Sequence, residues 1–226
     1  MSDTYWLDRW VQGEIGFHQE EINPYLRQYW NELHLDHGNN VFVPLCGKSS
    51  DMLWLRKQGY KVLGVELSAV AIKEFFKENG FSPYHEINGK FDRFEVNDIS
   101  LLCGNFFDLE KDDLKNVSAV FDRASMVALS LEMRERYVSH LLNTLPPATK
   151  ILLITFDYPQ SEMAGPPFAV STLEVETLFQ NYAEIRLLAQ VDVLAHNPRF
   201  QERGLSRLHE RVFLMTLNKA NSQHFF

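Results

Sequence analysis

Residues 40–66 constrain the fold of this chain more than any other part of the sequence. Two short apolar runs, residues 40–45 and 61–66, are typical of buried strands. Between them a helical pattern over residues 51–58 is stopped by Gly59. A strand that is followed by a helix and then by another strand predicts a parallel pair with a helical crossover.

The rest of the chain repeats this alternation of strands and helices, which predicts a doubly wound α/β fold. We expect a mostly parallel, seven-stranded sheet with helices on both faces. The last two predicted strands, residues 185–194 and 207–217, have no predicted helix between them, so they should form an antiparallel hairpin at the C-terminal edge. We expect one domain over residues 1–218 and a frayed tail over residues 219–226.

The composition of the chain limits its partners. The 226 residues are 45% hydrophobic and 23% charged, which is ordinary for a globular protein with a sizeable core. A net charge of -8 argues against a nucleic-acid partner, and no apolar run is long enough to cross a membrane. The N-terminus lacks the pattern of a secretory signal, and Cys46 and Cys103 fit a reducing compartment. We therefore expect a cytoplasmic protein, and a monomer.

The turn after the first strand and the end of the second strand predict a nucleoside site. In α/β sheets, ligands bind beyond the carboxyl ends of the strands. Gly47 allows close approach of the backbone, and Glu66 follows it at about the 20-residue spacing of an acid that binds ribose hydroxyls. A dinucleotide site would have three glycines, so an adenosine without phosphates fits better than a nicotinamide cofactor. Glu66 could instead cap the helix that starts at Ser68.

Two other side chains of this turn leave alternatives open. Lys48 and Ser49 follow Gly47 as in a phosphate-binding loop, but Phe42 stands where the first glycine of that motif belongs. Cys46 is either a reactive thiol or a small packing residue at a crowded strand end.

Six segments keep the order and spacing of a known family over roughly residues 5–218. They are Trp6-x-x-x-Trp10-x-x-Gly13 with Phe17-His-Gln-Glu20, Phe42-Val-Pro-Leu-Cys-Gly-Lys48, Gly64-Val-Glu-Leu-Ser68, Phe106-Phe-Asp-Leu109, Phe121-Asp-Arg-Ala124 and Gly165-Pro-Pro-Phe168. Together they resemble the thiopurine S-methyltransferase family. The resemblance implies the Rossmann-like fold of S-adenosylmethionine-dependent methyltransferases, with S-adenosyl-L-methionine as cofactor and S-adenosyl-L-homocysteine as product.

The resemblance also implies which residues bind the methyl donor. Trp10 and Leu45 would pack on it, with Trp6 nearby, and Asn105 and Phe106 would lie along its adenine. The complete implied set is Trp6, Trp10, Leu45, Gly47, Glu66, Asn105, Phe106 and Arg123.

On the substrate side, the resemblance implies a small-molecule thiol and three residues around it. Arg123 would lie by the methionine end of the donor and position the thiolate. Phe17 would close over the reacting centre as part of an N-terminal helical lid, about residues 1–36. Arg199 corresponds to a substrate-facing arginine, although Arg203 stands where the eukaryotic form has a tryptophan.

The chemistry of methyl transfer to sulfur agrees with this set of residues. An ionised thiol is already a good nucleophile, so positioning can supply much of the rate and neither a metal nor a strong general base is required. An arginine favours the thiolate by lowering the pKa of the thiol. The alternatives are methylation of selenium or tellurium compounds, a sensor that binds S-adenosylmethionine without transferring its methyl, and a nicotinamide-dependent oxidoreductase.

Overall fold

A computed structural model describes residues 3–218 of the protein, so the predicted frayed tail, residues 219–226, lies outside the described residues. The α-helices are α1 (Asp3–Gln12), α2 (Pro24–Tyr29), α3 (Asp51–Lys57), α4 (Ala69–Glu78), α5 (Lys111–Leu114), α6 (Ser125–Ala128), α7 (Leu131–Thr144), α8 (Thr172–Phe179) and α9 (Pro198–Glu202). The strands are β1 (Asn40–Val43), β2 (Lys61–Glu66), β3 (Tyr84–Asn88), β4 (Phe91–Val96), β5 (Ile99–Cys103), β6 (Val117–Arg123), β7 (Lys150–Asp157), β8 (Ala183–Asp192) and β9 (His209–Leu217). The described residues form two compact units, which meet in the sequence between Phe121 and Asp122.

The first unit is built on parallel strands. Strands β5, β2, β1 and β6 are parallel neighbours in that order, residues 117–121 of β6 belong to this unit, and α3 connects β1 to β2 as predicted. Most residues of β1 and β2 are buried, because helices cover both faces of such a sheet. The parallel order brings the ends of β1, β2 and β5 to one edge.

The predicted number of strands is too small. Nine strands lie within residues 3–218, because β3 pairs antiparallel with β4, and β4 pairs antiparallel with β5. The sequence of β3 shows no alternation of apolar and polar residues. Its side chains do not alternate between buried and exposed either, because Tyr84, His85 and Glu86 are all exposed. Pairing with β4 across a turn at Gly89, where φ is +63°, specifies this strand instead of burial.

The second unit confirms the antiparallel hairpin and corrects its connection. Strand β9 pairs antiparallel with β7 on one side and with β8 on the other, so β8 lies at the edge. The expectation that no helix separates the last two strands is wrong, because a 3-10 turn and α9 lie between them. Helix α9 begins at Pro198, and its buried Phe200 belongs to an apolar cluster with Tyr158, Met163 and Leu208. Only one of the five residues of α9 is buried, so the sequence has no periodic apolar pattern from which this helix could be predicted.

Side-chain caps fix the starts of α2 and α4, and the start of α4 at Ser68 is the one expected from the sequence. Asn23 accepts hydrogen bonds from the backbone N–H groups of the first turn of α2. Ser68 caps α4 through its hydroxyl, which accepts from the N–H of Ala71 at 3.3 Å. Within residues 3–218, none of the helices has the length and apolar character that a membrane span requires.

Candidate functional site

Glu66 ends β2 with its carboxylate held by two backbone groups. One oxygen, Oε2, accepts from the N–H of Gly47 at 2.8 Å, and the other, Oε1, accepts from the N–H of Ser68 at 2.8 Å. Burial raises the pKa of Glu66, although the N–H groups of Ser68, Gly47 and Leu67 oppose this shift. Each carboxylate oxygen can accept more than one hydrogen bond, so the contact with the start of α4 leaves capacity for a ligand.

The turn after β1 has an unusual backbone that brings Gly47 to Glu66. Leu45 has a φ of +45° and Gly47 a φ of +52°, and both lie in the left-handed region. The N–H of Cys46 donates to the carbonyl of Val65 at 3.0 Å, which fixes the turn against the end of β2. A Cβ atom on Gly47 would lie 3.1 Å from Cζ2 of Trp10, so a larger residue would press on the indole.

Three aromatic side chains near the N-terminus form a cluster over this turn. The ring centroid of Phe17 lies 5.5 Å from those of both Trp6 and Trp10, in edge-to-face geometry. Trp10 is buried, whereas Phe17 is partly exposed. The structure therefore brings Trp6, Trp10, Phe17, Gly47 and Glu66 together.

Asn105 and Phe106 follow β5 at the same edge of the sheet. The N–H of Gly104 donates to the main-chain carbonyl of Glu66 at 3.0 Å, so the next two residues lie beside the end of β2. Asn105 accepts from the N–H of Phe107 at 2.9 Å and donates its amide to the carboxylate of Asp3 at 3.1 Å. Phe106 is buried. The contact with Asp3, on α1, is one that the sequence did not predict.

The donor and acceptor groups of this edge fit an adenosine better than a phosphate group. Glu66 offers buried carboxyl oxygens that accept hydrogen bonds from hydroxyl groups, whereas the oxygens of a phosphate are themselves acceptors and find no donor in this side chain. Lys48, the cation of the phosphate-loop alternative, is already paired with Glu74 and Glu78. The chemistry of the residues present therefore agrees with an S-adenosylmethionine site, in which Glu66 would hold the ribose and the aromatic cluster would face the sulfonium.

Comparison with known proteins identifies the family. The model of the family described as thiopurine S-methyltransferase matches residues 1–218. The chain belongs to the thiopurine S-methyltransferase family. It is 63% identical to the thiopurine S-methyltransferase of Nitrosospira multiformis, covering 97% of this chain and all of the relative. It is 46% identical to that of Azotobacter vinelandii, covering 94% of this chain and 98% of the relative.

Solved structures confirm the α/β fold class. A methyltransferase from Burkholderia thailandensis, 1,6-didemethyltoxoflavin-N1-methyltransferase, superposes with a TM-score of 0.62 at 13% identity, covering 96% of this chain and 87% of that one. Phosphoethanolamine N-methyltransferase 2 from Haemonchus contortus gives a TM-score of 0.62 at 12% identity, covering 96% of this chain. The chain spans 57% of the length of the Haemonchus enzyme.

In this thiopurine S-methyltransferase family member, Cys46 has the properties of a packing residue. Its thiol is buried and lies 2.8 Å from where a Cβ of Gly64 would stand. Burial and the neighbouring Glu66 carboxylate raise the pKa of the Cys46 thiol well above its usual value. A protonated, enclosed thiol is a poor nucleophile, which favours the packing alternative.

The second unit of the methyltransferase carries the two predicted arginines. Arg123 is the last residue of β6, and Ala124, with a φ of +76°, turns the chain directly after it. Arg199 lies on α9 with its guanidinium carbon 5.8 Å from the ring centroid of Phe200. Tyr158, directly after β7, is buried and donates its hydroxyl to the carbonyl of Pro167.

Sequence reasoning missed the partners of Lys48. Glu74 and Glu78 are four residues apart on α4, on one face of the helix. Two like charges at this spacing repel each other unless a cation lies between them. The spacing of Glu74 and Glu78 therefore indicated a nearby cation. It did not identify Lys48, which lies 26 residues before Glu74 in the sequence.

Proposed function

We propose that this methyltransferase transfers the methyl group of S-adenosyl-L-methionine to the sulfur of aromatic or heterocyclic thiols such as thiopurines. The observation that carries the proposal is the buried Glu66 carboxylate, presented beside the Gly47 turn and under the aromatic cluster. The relatives named thiopurine S-methyltransferase supply the acceptor class, and S-adenosyl-L-homocysteine is the product.

Donor binding is assigned to the first unit. Glu66 accepts hydrogen bonds from the ribose hydroxyls, Leu45 packs on the donor with Trp10, and Gly47 brings the backbone close to the donor. Asn105 and Phe106 lie along the adenine. The donor supplies an electrophilic methyl group on a sulfonium, and the aromatic faces of Trp6 and Trp10 favour a cation nearby.

The same aromatic side chains exclude water from the reacting centre. A cationic donor and an anionic thiolate neutralise each other as the methyl moves, so a poorly hydrated site favours the reaction over water. Phe17 contacts both tryptophans and covers the acceptor, as part of a lid over about residues 1–36.

Arg123 and Arg199 are proposed to serve the acceptor. Arg123 lies beside the methionine end of the donor and positions the thiolate, whose formation a guanidinium favours by lowering the thiol pKa. Arg199 faces the substrate from α9. Positioning of this kind supplies the rate advantage without a general base.

We also propose that the enzyme acts in the cytoplasm as a monomer, as one domain over residues 1–218, without a nucleic-acid partner. The net charge of -8 supports the last point, because a nucleic acid would be repelled. Sedimentation at several protein concentrations checks the monomer: a mass that rises with concentration contradicts it.

The test of the function is a methyl-transfer assay with radiolabelled donor and three acceptors: a thiopurine, a simple aromatic thiol and selenite. Label should appear on the thiols with turnover well above that on selenite. Preferred turnover of selenite would move the assignment to selenium compounds. Tight donor binding in calorimetry without transfer to any acceptor would indicate a sensor.

A further inference from the structure

The turn that carries Gly47 has a backbone that needs support from its surroundings. Leu45, with a φ of +45°, is a branched residue in a region that costs such side chains free energy. Gly47 has a φ of +52° two residues later. Conformations of this kind persist only when neighbouring contacts over-determine them. We therefore expect a contact in the turn that stabilises this backbone conformation.

Lys48 makes that contact directly after Gly47. Its ammonium nitrogen lies 2.9 Å from a carboxylate oxygen of Glu74 and 2.6 Å from one of Glu78. The Lys48 side chain is only 8% exposed, although both carboxylates are partly open to solvent. Burial alone would lower the pKa of Lys48, but the hydrogen bonds that its ammonium donates to Glu78 and Glu74 outweigh burial and raise the pKa, so the ammonium stays charged.

The pairing closes a ring of contacts around the donor site. Gly47 donates to Glu66, Glu66 accepts from Ser68, and Ser68 caps α4. Helix α4 then returns to the turn through Glu74 and Glu78, which hold Lys48. The start of α4 thus holds Gly47 through Glu66. The last two turns of α4 hold Lys48 through Glu74 and Glu78.

We propose that Lys48 is a positioning residue that holds the Gly47 N–H on the Glu66 carboxylate and thereby preorganises the donor site before the donor binds. This inference rests on the proposed function for the identity of the donor, but the contact it describes exists in the protein alone. Preorganisation strengthens binding because the turn is already ordered, so no part of the binding free energy is used to order it. Lys48 acts through Gly47 and needs no contact with the donor.

The experiment compares Lys48→Met with the wild-type protein in two measurements. Calorimetry gives the affinity for S-adenosyl-L-homocysteine, and hydrogen exchange by NMR gives the protection of the Gly47 amide without ligand. We expect affinity to fall about tenfold, in line with the loss of about one hydrogen bond to a charged group. The Gly47 amide should exchange faster in the ligand-free variant, while the Cys46 amide, bonded to Val65, should change less.

Lys90 provides a matched control in the same unit. Its ammonium is also shared by two carboxylates, Glu110 at 3.0 Å and Asp113 at 3.2 Å, but Lys90 belongs to the loop between β3 and β4 and not to the turn. Lys90→Met removes the same number of ion pairs. It should leave both the affinity for S-adenosyl-L-homocysteine and the Gly47 exchange rate as in the wild type.

Two further variants separate positioning from folding. Lys48→Met leaves Glu74 and Glu78 repelling each other, so the triple variant Lys48→Met with Glu74→Gln and Glu78→Gln removes that repulsion. The triple variant should recover thermal stability and still bind S-adenosyl-L-homocysteine about tenfold more weakly. Lys48→Arg, which keeps the charge, should restore most of the affinity and of the Gly47 protection.

The outcomes distinguish the inference from the proposed function. Unchanged Gly47 exchange in a folded Lys48→Met protein would overturn the inference, and so would recovery of affinity in the triple variant. If the wild-type protein fails to bind S-adenosyl-L-homocysteine, the proposed function fails, and the Gly47 exchange rates of the Lys48 and Lys90 variants still decide the positioning role.

Discussion

Two buried carboxylates, one in each unit, have different kinds of hydrogen-bond partners. Glu66, in the first unit, is held by the backbone N–H groups of Gly47 and Ser68. Asp122, in the second unit, accepts the hydroxyl of Tyr137 on α7 at 2.7 Å and is also bonded by Ser125. Burial raises the pKa of both carboxyl groups, that of Asp122 to about 6.

The comparison separates the carboxylate proposed to bind the donor from one that serves packing. Backbone donors on an edge turn leave the remaining acceptor positions of Glu66 for hydroxyl groups of a ligand. The donors to Asp122, on α6 and α7, are part of the same unit, so its bonds serve the packing of that unit. Substitutions of Glu66 should therefore change binding, and those of Asp122 should change stability.

The largest expected effect is on the stability of Asp122→Asn as a function of pH. A folded pKa of about 6 is above the ordinary 3.8, so the proton is bound more tightly in the folded state. This contribution is fully present below about pH 3.8 and is lost as pH rises through about 6. Relative to Asp122→Asn, the wild type should lose up to about 3 kcal/mol between pH 4 and pH 7.5.

Urea denaturation of both proteins at several pH values measures this difference. Parallel stability curves for the two proteins would show that Asp122 does not titrate as its burial predicts. Affinity for S-adenosyl-L-homocysteine at pH 7.5 should be similar in the two proteins, and a large loss in Asp122→Asn would break the separation of roles.

Glu66→Ala should give the next largest effect, and on binding. Removing the acceptor leaves the ribose hydroxyls without their partner, which should weaken binding of S-adenosyl-L-homocysteine by about 2 kcal/mol, or about thirtyfold. Calorimetry at pH 7.5 measures it, with Glu66→Gln as the control that keeps one acceptor oxygen. Wild-type affinity in Glu66→Ala would remove Glu66 from the site.

Gly47→Ala should have the next largest effect and weaken donor binding by about 1–2 kcal/mol. An L-residue at a φ of +52° is strained, and its Cβ would lie 3.1 Å from Trp10. Calorimetry with S-adenosyl-L-homocysteine measures this loss as well. Gly80→Ala is the control, since Gly80 has a φ of +65° but its Cβ would meet nothing within 4 Å. If both variants bind equally well, the turn does not approach the donor.

The smallest effect is expected for Ser68→Ala. The substitution removes the side-chain cap of α4 but keeps the backbone N–H that serves Glu66. Stability should fall by about 1 kcal/mol, as is usual for a lost N-cap. Donor affinity should fall by less than in Gly47→Ala. Thermal unfolding measures the stability and calorimetry the affinity. A greater loss of donor affinity in Ser68→Ala than in Gly47→Ala would show that the Ser68 hydroxyl, and not its backbone N–H, supports the site.

Local sequence rules predicted the parts of this molecule that rest on backbone geometry. The strand–helix–strand unit, the Gly47 turn and the position of Glu66 follow from spacing that the crossover itself requires. The aromatic cluster of Trp6, Trp10 and Phe17 required the family resemblance, because two tryptophans one helical turn apart occur more often in ordinary cores.

The features that sequence missed depend on contacts between distant residues. Strand β3 is specified by its partner β4, since its own side chains are exposed. The partners of Lys48 lie 26 and 30 residues further along the chain, and nothing near Lys48 in the sequence marks them. The buried environment of Asp122 likewise depends on Tyr137, 15 residues away on another element.

The most direct test is a crystal structure of the protein with S-adenosyl-L-homocysteine. We expect both ribose hydroxyls within hydrogen-bond distance of the Glu66 carboxylate, and the ligand sulfur facing the cluster of Trp6, Trp10 and Phe17. Density for the ligand away from Glu66, or a ribose with no contact to it, would contradict the assignment of this edge of the sheet as the donor site.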